Sequence, residues 1–223
     1  MTGKLIIIEA GDGCGKATQT EKLVSRLVAD GKNAKKIEFP DYQSPSSALI
    51  KMYLQGDFGQ NPRDVNPYAA SSFYAVDRYA SFKKNWEKFY QQGGIVVCDR
   101  YTTSNMVHQA VKIAASNERD AYLNWLWDLE FVKFGLPVPD AVIFLDMPPE
   151  YSLRLIQERA GQSGSAADIH EGNIAYLADC YAGYREVAAK YHWHQVPCVA
   201  DGQLRSIERI HADIYKIAAG IIG

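Results

Sequence analysis

Residues 5–20 read Leu5-Ile6-Ile7-Ile8-Glu9-Ala10-Gly11-Asp12-Gly13-Cys14-Gly15-Lys16-Ala17-Thr18-Gln19-Thr20. The aliphatic run from Leu5 to Ile8 suits a strand buried on both faces of a parallel sheet. Three glycines then alternate with other residues up to Lys16. Beyond it Leu23, Val24, Leu27 and Val28 recur at helical spacing. Strand, glycine loop, lysine and helix together are the setting of a phosphate-binding loop. Glycines let backbone N–H groups crowd an anion, and the helix N-terminus adds its positive end. Gly11, Asp12, Gly13, Cys14, Gly15, Lys16, Ala17 and Thr18 are the candidate phosphate-binding residues. Lys16 serves as a point charge on the β- and γ-phosphates. Two positions depart from G-x-x-x-x-G-K-[ST]. Ala10 replaces the first glycine, and Ala17 replaces the metal-facing hydroxyl, which Thr18 offers one residue later.

Working outward, apolar runs at 34–39, 95–98, 141–145 and 196–200 read as four more strands. Lys35 and Lys36 put the second strand near an edge. Helical patterns lie between them, at 48–54, 68–90, 103–115, 119–134, 150–159, 172–190 and 206–219. Five alternations of strand and helix predict a three-layer α/β fold around a five-stranded parallel sheet, of the P-loop nucleoside triphosphate hydrolase-like kind. Residues 1–223 read as one domain, with about 160–171 as a small flexible lid, because 161–168 is small and polar. In the helix at 68–90, Phe73, Val76 and Ala80 mark one face. Trp125, Trp127, Leu129 and Phe131 make the helix at 119–134 aromatic, which reads as core, with a dimer contact as the other possibility.

In open α/β sheets ligands bind beyond the carboxyl ends of the strands. The glycine loop, Tyr42 and Asp99-Arg100 are therefore expected to converge on one crevice. Arg100 offers a planar fork of donors to a phosphate. Tyr74 and Arg78, one helical turn apart, suit stacking on a base and bonding its edge. Arg154 and Arg159 either pair with neighbouring glutamates or swing over a transferring phosphoryl group. Cys14 sits at a helix N-terminus, which can lower a thiol pKa; the other reading is a small tolerated side chain.

The remaining composition sets bounds. A formal net charge of −2 gives no sign of general nucleic-acid binding. No stretch is long and apolar enough to span a bilayer, and no signal peptide is evident. The four cysteines lack metal-ligand spacing, which makes a reduced cytoplasmic setting the expectation. The five histidines show no metal spacing either, and the metal ligands stay unassigned.

The motifs taken together resemble those of thymidylate kinases. Residues 9–18 resemble that family's phosphate loop. Phe39-Pro40-Asp41-Tyr42, Tyr74-Ala75-Val76-Asp77-Arg78, Asp99-Arg100-Tyr101 and Ser104-Asn105 follow in the family's order. Residues 139–146 resemble the strand before the lid, and Asp168-Ile169-His170-Glu171 resembles the lid end. The resemblance implies ATP-dependent phosphorylation of dTMP to dTDP with Mg²⁺, usually by a homodimer. It implies that Asp12 lies near the acceptor sugar and phosphate, Tyr74 stacks on the thymine and Arg78 bonds it. It also implies that Arg100 holds the acceptor phosphate, with Tyr42, Asp99, Ser104 and Asn105 completing the dTMP site. Lys16 and Arg100 are then catalytic. Neither the phosphate loop nor the lid segment carries an arginine, and so Arg154 and Arg159 are left to supply that charge. His170 replaces a common arginine at the lid end. Two other readings stand beside this one: a kinase for another monophosphate such as dUMP, and a nucleotide-binding protein without turnover.

Overall fold

The structure, a computed structural model, describes residues 2–163, 169–170 and 173–223, with the helical backbone alone over 159–163. The first strand, β1 (Lys4–Glu9), is followed by α1 (Lys16–Ala29) and β2 (Ala34–Glu38). Next come α2 (Ala48–Gln55), α3 (Pro67–Ser81), α4 (Glu87–Gln91) and β3 (Ile95–Asp99). Then follow α5 (Thr102–His108), α6 (Ser116–Trp127), β4 (Ala141–Asp146), α7 (Pro149–Ser163) and α8 (Ile174–Lys190). The chain closes with β5 (His194–Pro197), β6 (Val199–Ala200), β7 (Gln203–Leu204) and α9 (Ile207–Ile222).

The main sheet has the order β2-β3-β1-β4-β5, all parallel. This is the five-stranded sheet that the alternation predicts, with β2 at an edge. β1 lies at its centre, pairing Ile7 with Cys98 on one side and with Val142 on the other. Leu5, Ile6, Ile7 and Ile8 are all fully buried. Leu5 and Ile7 enter one core with Val96, Phe144 and Tyr184. Ile6 and Ile8 enter the other with Leu23, Leu27, Ile210 and Ile214. A strand covered on both faces needs a continuous apolar run rather than alternation. Each such side chain contributes about 1.5–3 kcal/mol by leaving water. The strand order switches direction at β1, between β3 and β4, and so the crevice opens where the glycine loop leaves the sheet.

Four expectations need correcting. The run at 196–200 does not extend one strand. β5 ends at Pro197, and Val199–Ala200 pairs antiparallel with Gln203–Leu204 in a separate hairpin. The connecting Asp201-Gly202 has positive φ at both residues, 51° and 70°, as a two-residue hairpin turn of this hand requires. In α3, Val76 is 52% exposed, whereas Ala70, Ala75, Asp77 and Arg78 are buried. The buried face carries ionisable side chains because each is hydrogen-bonded, and Arg78 is ion-paired as well. Arg78 Nε and Nη2 each lie 2.6 Å from a Glu130 oxygen, and Asp77 accepts from Ser46 Oγ at 2.5 Å and Asp41 N at 2.9 Å. The helix at 68–90 is interrupted by a π-helical stretch over Phe82–Trp86. The aromatic helix is only half core. Trp125 packs on Tyr68 at 4.7 Å, while Trp127 is 46% exposed.

Candidate active site

β1 delivers the phosphate loop to the crevice. Gly13 and Gly15 adopt φ of 75° and 79°, which a side chain rarely takes. At Gly13 space forbids one as well: a Cβ there would lie 2.5 Å from Ile156 Cγ1 and 2.9 Å from the Ser152 carbonyl. Lys16 is buried, and its Nζ donates to the Gly11 carbonyl at 2.6 Å. Burial, then Arg100, lowers its pKa. The cavity over this loop is lined by Asp12 to Thr18 together with Glu38, Phe39, Pro40, Tyr42, Asp99, Arg100 and Leu155. Every candidate phosphate-binding residue except Gly11 thus lines it, including both Ala17 and Thr18.

A second cavity lies beside the first. It is lined by Asp12, Phe39, Pro40, Tyr42, Leu54, Tyr74, Arg78, Arg100, Tyr101, Ser104, Asn105, His108, Gln109 and His170. The two cavities share Asp12, Phe39, Pro40, Tyr42 and Arg100. Arg100 therefore forms part of the wall between them. It is a non-glycine residue at φ 66°. Such strain persists only where surrounding contacts over-determine it. Its guanidinium pairs with Asp12 and donates to Ser104 Oγ at 3.1 Å and Tyr184 Oη at 3.2 Å. It also reaches Glu9 at 3.4 Å. Glu9, fully buried at the end of β1, accepts from Thr103 Oγ1 at 2.7 Å, Ser104 Oγ at 2.9 Å, Tyr184 Oη at 3.0 Å and its neighbour Ala10 N at 3.1 Å. Burial pushes the Asp12 carboxyl up, but Arg100 and then Lys16 outweigh it and hold the group well below the usual carboxylate range.

The far end of the second cavity is built for a polar, flat ligand. Asn105 Nδ2 and Gln109 Oε1 are buried and have no hydrogen-bond partner among the described residues. They stand one helical turn apart, a donor and an acceptor. Buried polar atoms are nearly always paired, and an orphaned pair lining one cavity points to a ligand that pairs them. Gln109 was not singled out from the sequence. Its spacing of four from Asn105 was the available signal. Tyr74 lines the same space, edge-on to Tyr53 at 6.5 Å. Arg78 lines it too, but two of its nitrogens are committed to Glu130, and Nη1 makes one long bond of 3.4 Å to the Tyr101 carbonyl. Tyr42 is 46% exposed at the mouth.

The remaining predicted residues divide. Asp99 lines the phosphate-loop cavity and not the second one. Ser104 lines the second cavity while bonded to Glu9. Arg154 is exposed, stands outside both cavities and pairs with Glu158 at 3.7 Å. Position 159 lies in α7 one turn beyond Leu155, which lines the phosphate cavity, and near Ile156, which abuts Gly13. The α7 backbone thus puts 159 on the face turned to the loop. The Arg159 side chain and, of the 160–171 lid segment, residues 164–168 and 171 lie outside the described residues. His170 is described: it is buried, lines the second cavity and stacks on His108 at 5.6 Å and 9°. For Cys14 the structure agrees with the reading as a small tolerated side chain. Burial pushes its thiol up to about 11, against the lowering pull of Lys16 and Arg100. The Cys198 thiol is likewise pushed up to about 12 by burial, and all four cysteines are free and buried. No helix among the described residues is long and apolar enough to cross a membrane.

Comparison with known proteins gives this arrangement a family. The family model described as thymidylate kinase matches residues 8–214. The thymidylate kinase of Mycobacterium tuberculosis is 31% identical over 188 residues, covering 83% of this chain and 86% of that one. The thymidylate kinase of Caulobacter vibrioides is 26% identical over 219 residues, covering 98% and 99%. The solved thymidylate kinase of Candida albicans, at 21% identity, shares the fold with a TM-score of 0.72 over 100% of this chain and 94% of that one. Matched over nearly its whole length, the chain belongs to the thymidylate kinase family and is an enzyme of the nucleoside monophosphate kinase class.

Proposed function

We propose that the enzyme transfers the γ-phosphoryl group of ATP to dTMP, giving dTDP and ADP. The observation that carries this reading is Arg100, shared by a phosphate-loop cavity and a cavity ending in two unpaired amide atoms. ATP phosphates lie over residues 11–18, where backbone N–H groups and Lys16 neutralise charge. The dTMP phosphate meets Arg100, and one of its oxygens attacks the γ-phosphorus in line. The protein contributes positioning and charge rather than covalent chemistry. At the base end, Asn105 Nδ2 donates to a thymine carbonyl and Gln109 Oε1 accepts the ring N–H. Tyr74 supplies a stacking face, and Arg78 Nη1 a further donor. Asp12, held ionised by Arg100, accepts from the sugar hydroxyl. Arg159, on the loop-facing side of α7, supplies the cation over the moving group, in preference to Arg154.

Mg²⁺ suits the donor set of the phosphate cavity, where the Asp99 carboxylate and the Thr18 hydroxyl stand beside Lys16. These are hard oxygen donors, and Mg²⁺ usually takes one or two carboxylates and completes its shell with phosphates and water. When bound there it shields charge on the phosphoryl oxygens. Thr18 takes the part that Ala17 cannot. A homodimer is part of the proposal, supported by the exposed Val76 and Tyr79 on α3, the latter packed on Phe134 at 5.3 Å. Sedimentation at micromolar concentration tests it. A cytoplasmic setting is supported by four free buried thiols. The central test is an acceptor screen with ATP and Mg²⁺, read as ADP release. The highest kcat/KM is expected with dTMP. Absence of ADP release with dTMP, or a higher kcat/KM with dUMP, overturns the reading.

A further inference from the structure

Lys112 is a partly buried cation that the phosphoryl transfer does not use. It ends the short 3₁₀ turn Ala110–Lys112 that follows α5. Its Nζ donates to Tyr53 Oη at 3.0 Å and to the Val65 carbonyl at 3.2 Å, and lies 5.1 Å from the centre of the Tyr53 ring. Among the described residues no carboxylate pairs with it. Among the described residues, the charged or titratable groups that face it are Arg63 from the turn before α3, Cys180 from α8, Tyr53 from α2 and His170 from the turn before α8. Burial lowers its pKa to about 7. An ammonium held only by neutral oxygens is costly, and it persists where its hydrogen bonds are needed.

Those bonds lead to the acceptor cavity. Tyr53 Oη lies 2.8 Å from His170 Nε2. Tyr53 is fully buried and meets the His170 ring edge-on at 5.4 Å. His170 in turn stacks on His108, and both imidazoles line the cavity. An ammonium can only donate, so it holds Tyr53 Oη as an acceptor. A charged donor makes that bond about twice as strong as a neutral one. The result is a three-residue brace, Lys112 to Tyr53 to His170, running from outside the cavity to its wall.

We propose that Lys112 is a positioning residue for the acceptor. Through Tyr53 it holds His170 against His108, and so fixes the wall that dTMP packs against. The inference rests on the reading of this cavity as the dTMP site. It also gives that site a pH dependence. Lys112 loses its proton near neutrality, the bond to Tyr53 weakens, and KM for dTMP rises with pH. His170 does not titrate in that range. Burial, aided by Lys112 and Arg100 and opposed by Asp12, lowers it to about 4. His108, also buried and facing Asp12 and Arg100, stays neutral as well.

The test measures KM and kcat for both substrates at about pH 6 and about pH 8.5, on either side of the Lys112 titration. Lys112→Met and Tyr53→Phe are each expected to raise KM for dTMP about fivefold at the lower pH, the worth of one lost hydrogen bond, with kcat and KM for ATP within about twofold. Lys112→Arg is expected to keep the low KM and to lose the rise at higher pH, because a guanidinium stays charged. The proposal is overturned if Lys112→Met leaves KM for dTMP at the wild-type value. It is equally overturned if Lys112→Met lowers kcat and thermal midpoint together with no KM effect and Lys112→Arg does the same. Failure of the underlying reading looks different: the wild-type enzyme then releases no ADP with dTMP.

Discussion

The two cavities meet at Arg100 but are built from different material. The phosphate side takes half of its lining from one continuous stretch, residues 12–18, a glycine-rich loop whose backbone N–H groups and Lys16 suit an anion. The acceptor side is mostly side chains, gathered from the loop after β2, from α2, α3 and α5, and from the turn holding His170. A backbone site tolerates substitution wherever φ and space allow. A side-chain site depends on each donor and acceptor being held by partners outside it. Glu9 holds Arg100 and Ser104, Glu130 holds Arg78, and Asp77 holds the loop before Tyr42.

This contrast is broken most sharply at the shared wall. Arg100→Ala removes the contact common to both cavities, and kcat/KM for dTMP is expected to fall by about 10³-fold. A loss under tenfold in steady-state assays contradicts a single bridging cation. Next in size, Arg159→Ala is expected to lower kcat by about 10²-fold while Arg154→Ala stays within about twofold. Equal losses in the two variants would mean that the loop-facing side of α7 does not choose the arginine. On the acceptor side alone, Asn105→Ala and Gln109→Ala are each expected to raise KM for dTMP about tenfold, since each leaves a base atom unpaired. KM for ATP is expected to hold, and a parallel rise in it would dissolve the division between the cavities.

The remaining effect is on stability and leaves the kinetics aside. Burial lowers the His170 imidazole from its ordinary value near 6.5 to about 4 in the folded chain. In that interval the unfolded chain binds the proton that the folded chain refuses. Stability is therefore complete above the unfolded value and falls as pH drops toward the folded one. At ~1.4 kcal/mol per unit this group alone accounts for at most a few kcal/mol. Denaturant titrations between about pH 7 and about pH 4 should show the loss, and His170→Phe should shrink it. An unchanged slope in that variant would assign the loss elsewhere.

The same contrast explains what could be read in advance. The phosphate site was legible because its determinants are local: an apolar run, three glycines and a lysine. The sheet was legible because each central strand is a continuous apolar run. The hairpin at 199–204 was missed although Asp201-Gly202 announces it. Arg78 looked free for a base because its partner, Glu130, lies 52 residues away in sequence. Gln109 looked like an ordinary polar helix residue: its spacing of four from Asn105 offers a weak signal, and its burial beside Asn105 marks it. For Cys14, helix position and burial push the thiol in opposite directions, and the degree of burial is not written in the neighbouring residues.

The contact at Gly13 has a mechanical consequence. With Ile156 and Ser152 pressed where a β-carbon would stand, the loop acts as a fulcrum under the first half of α7. Any tilt of that helix relative to the bound phosphates has to pivot there. The turns beyond Ile156, including position 159, form the far arm. A methyl group at Gly13 would shift the fulcrum and swing the far end of the arm. Its cost would then be felt at the moving phosphoryl group rather than in the loop that carries the change.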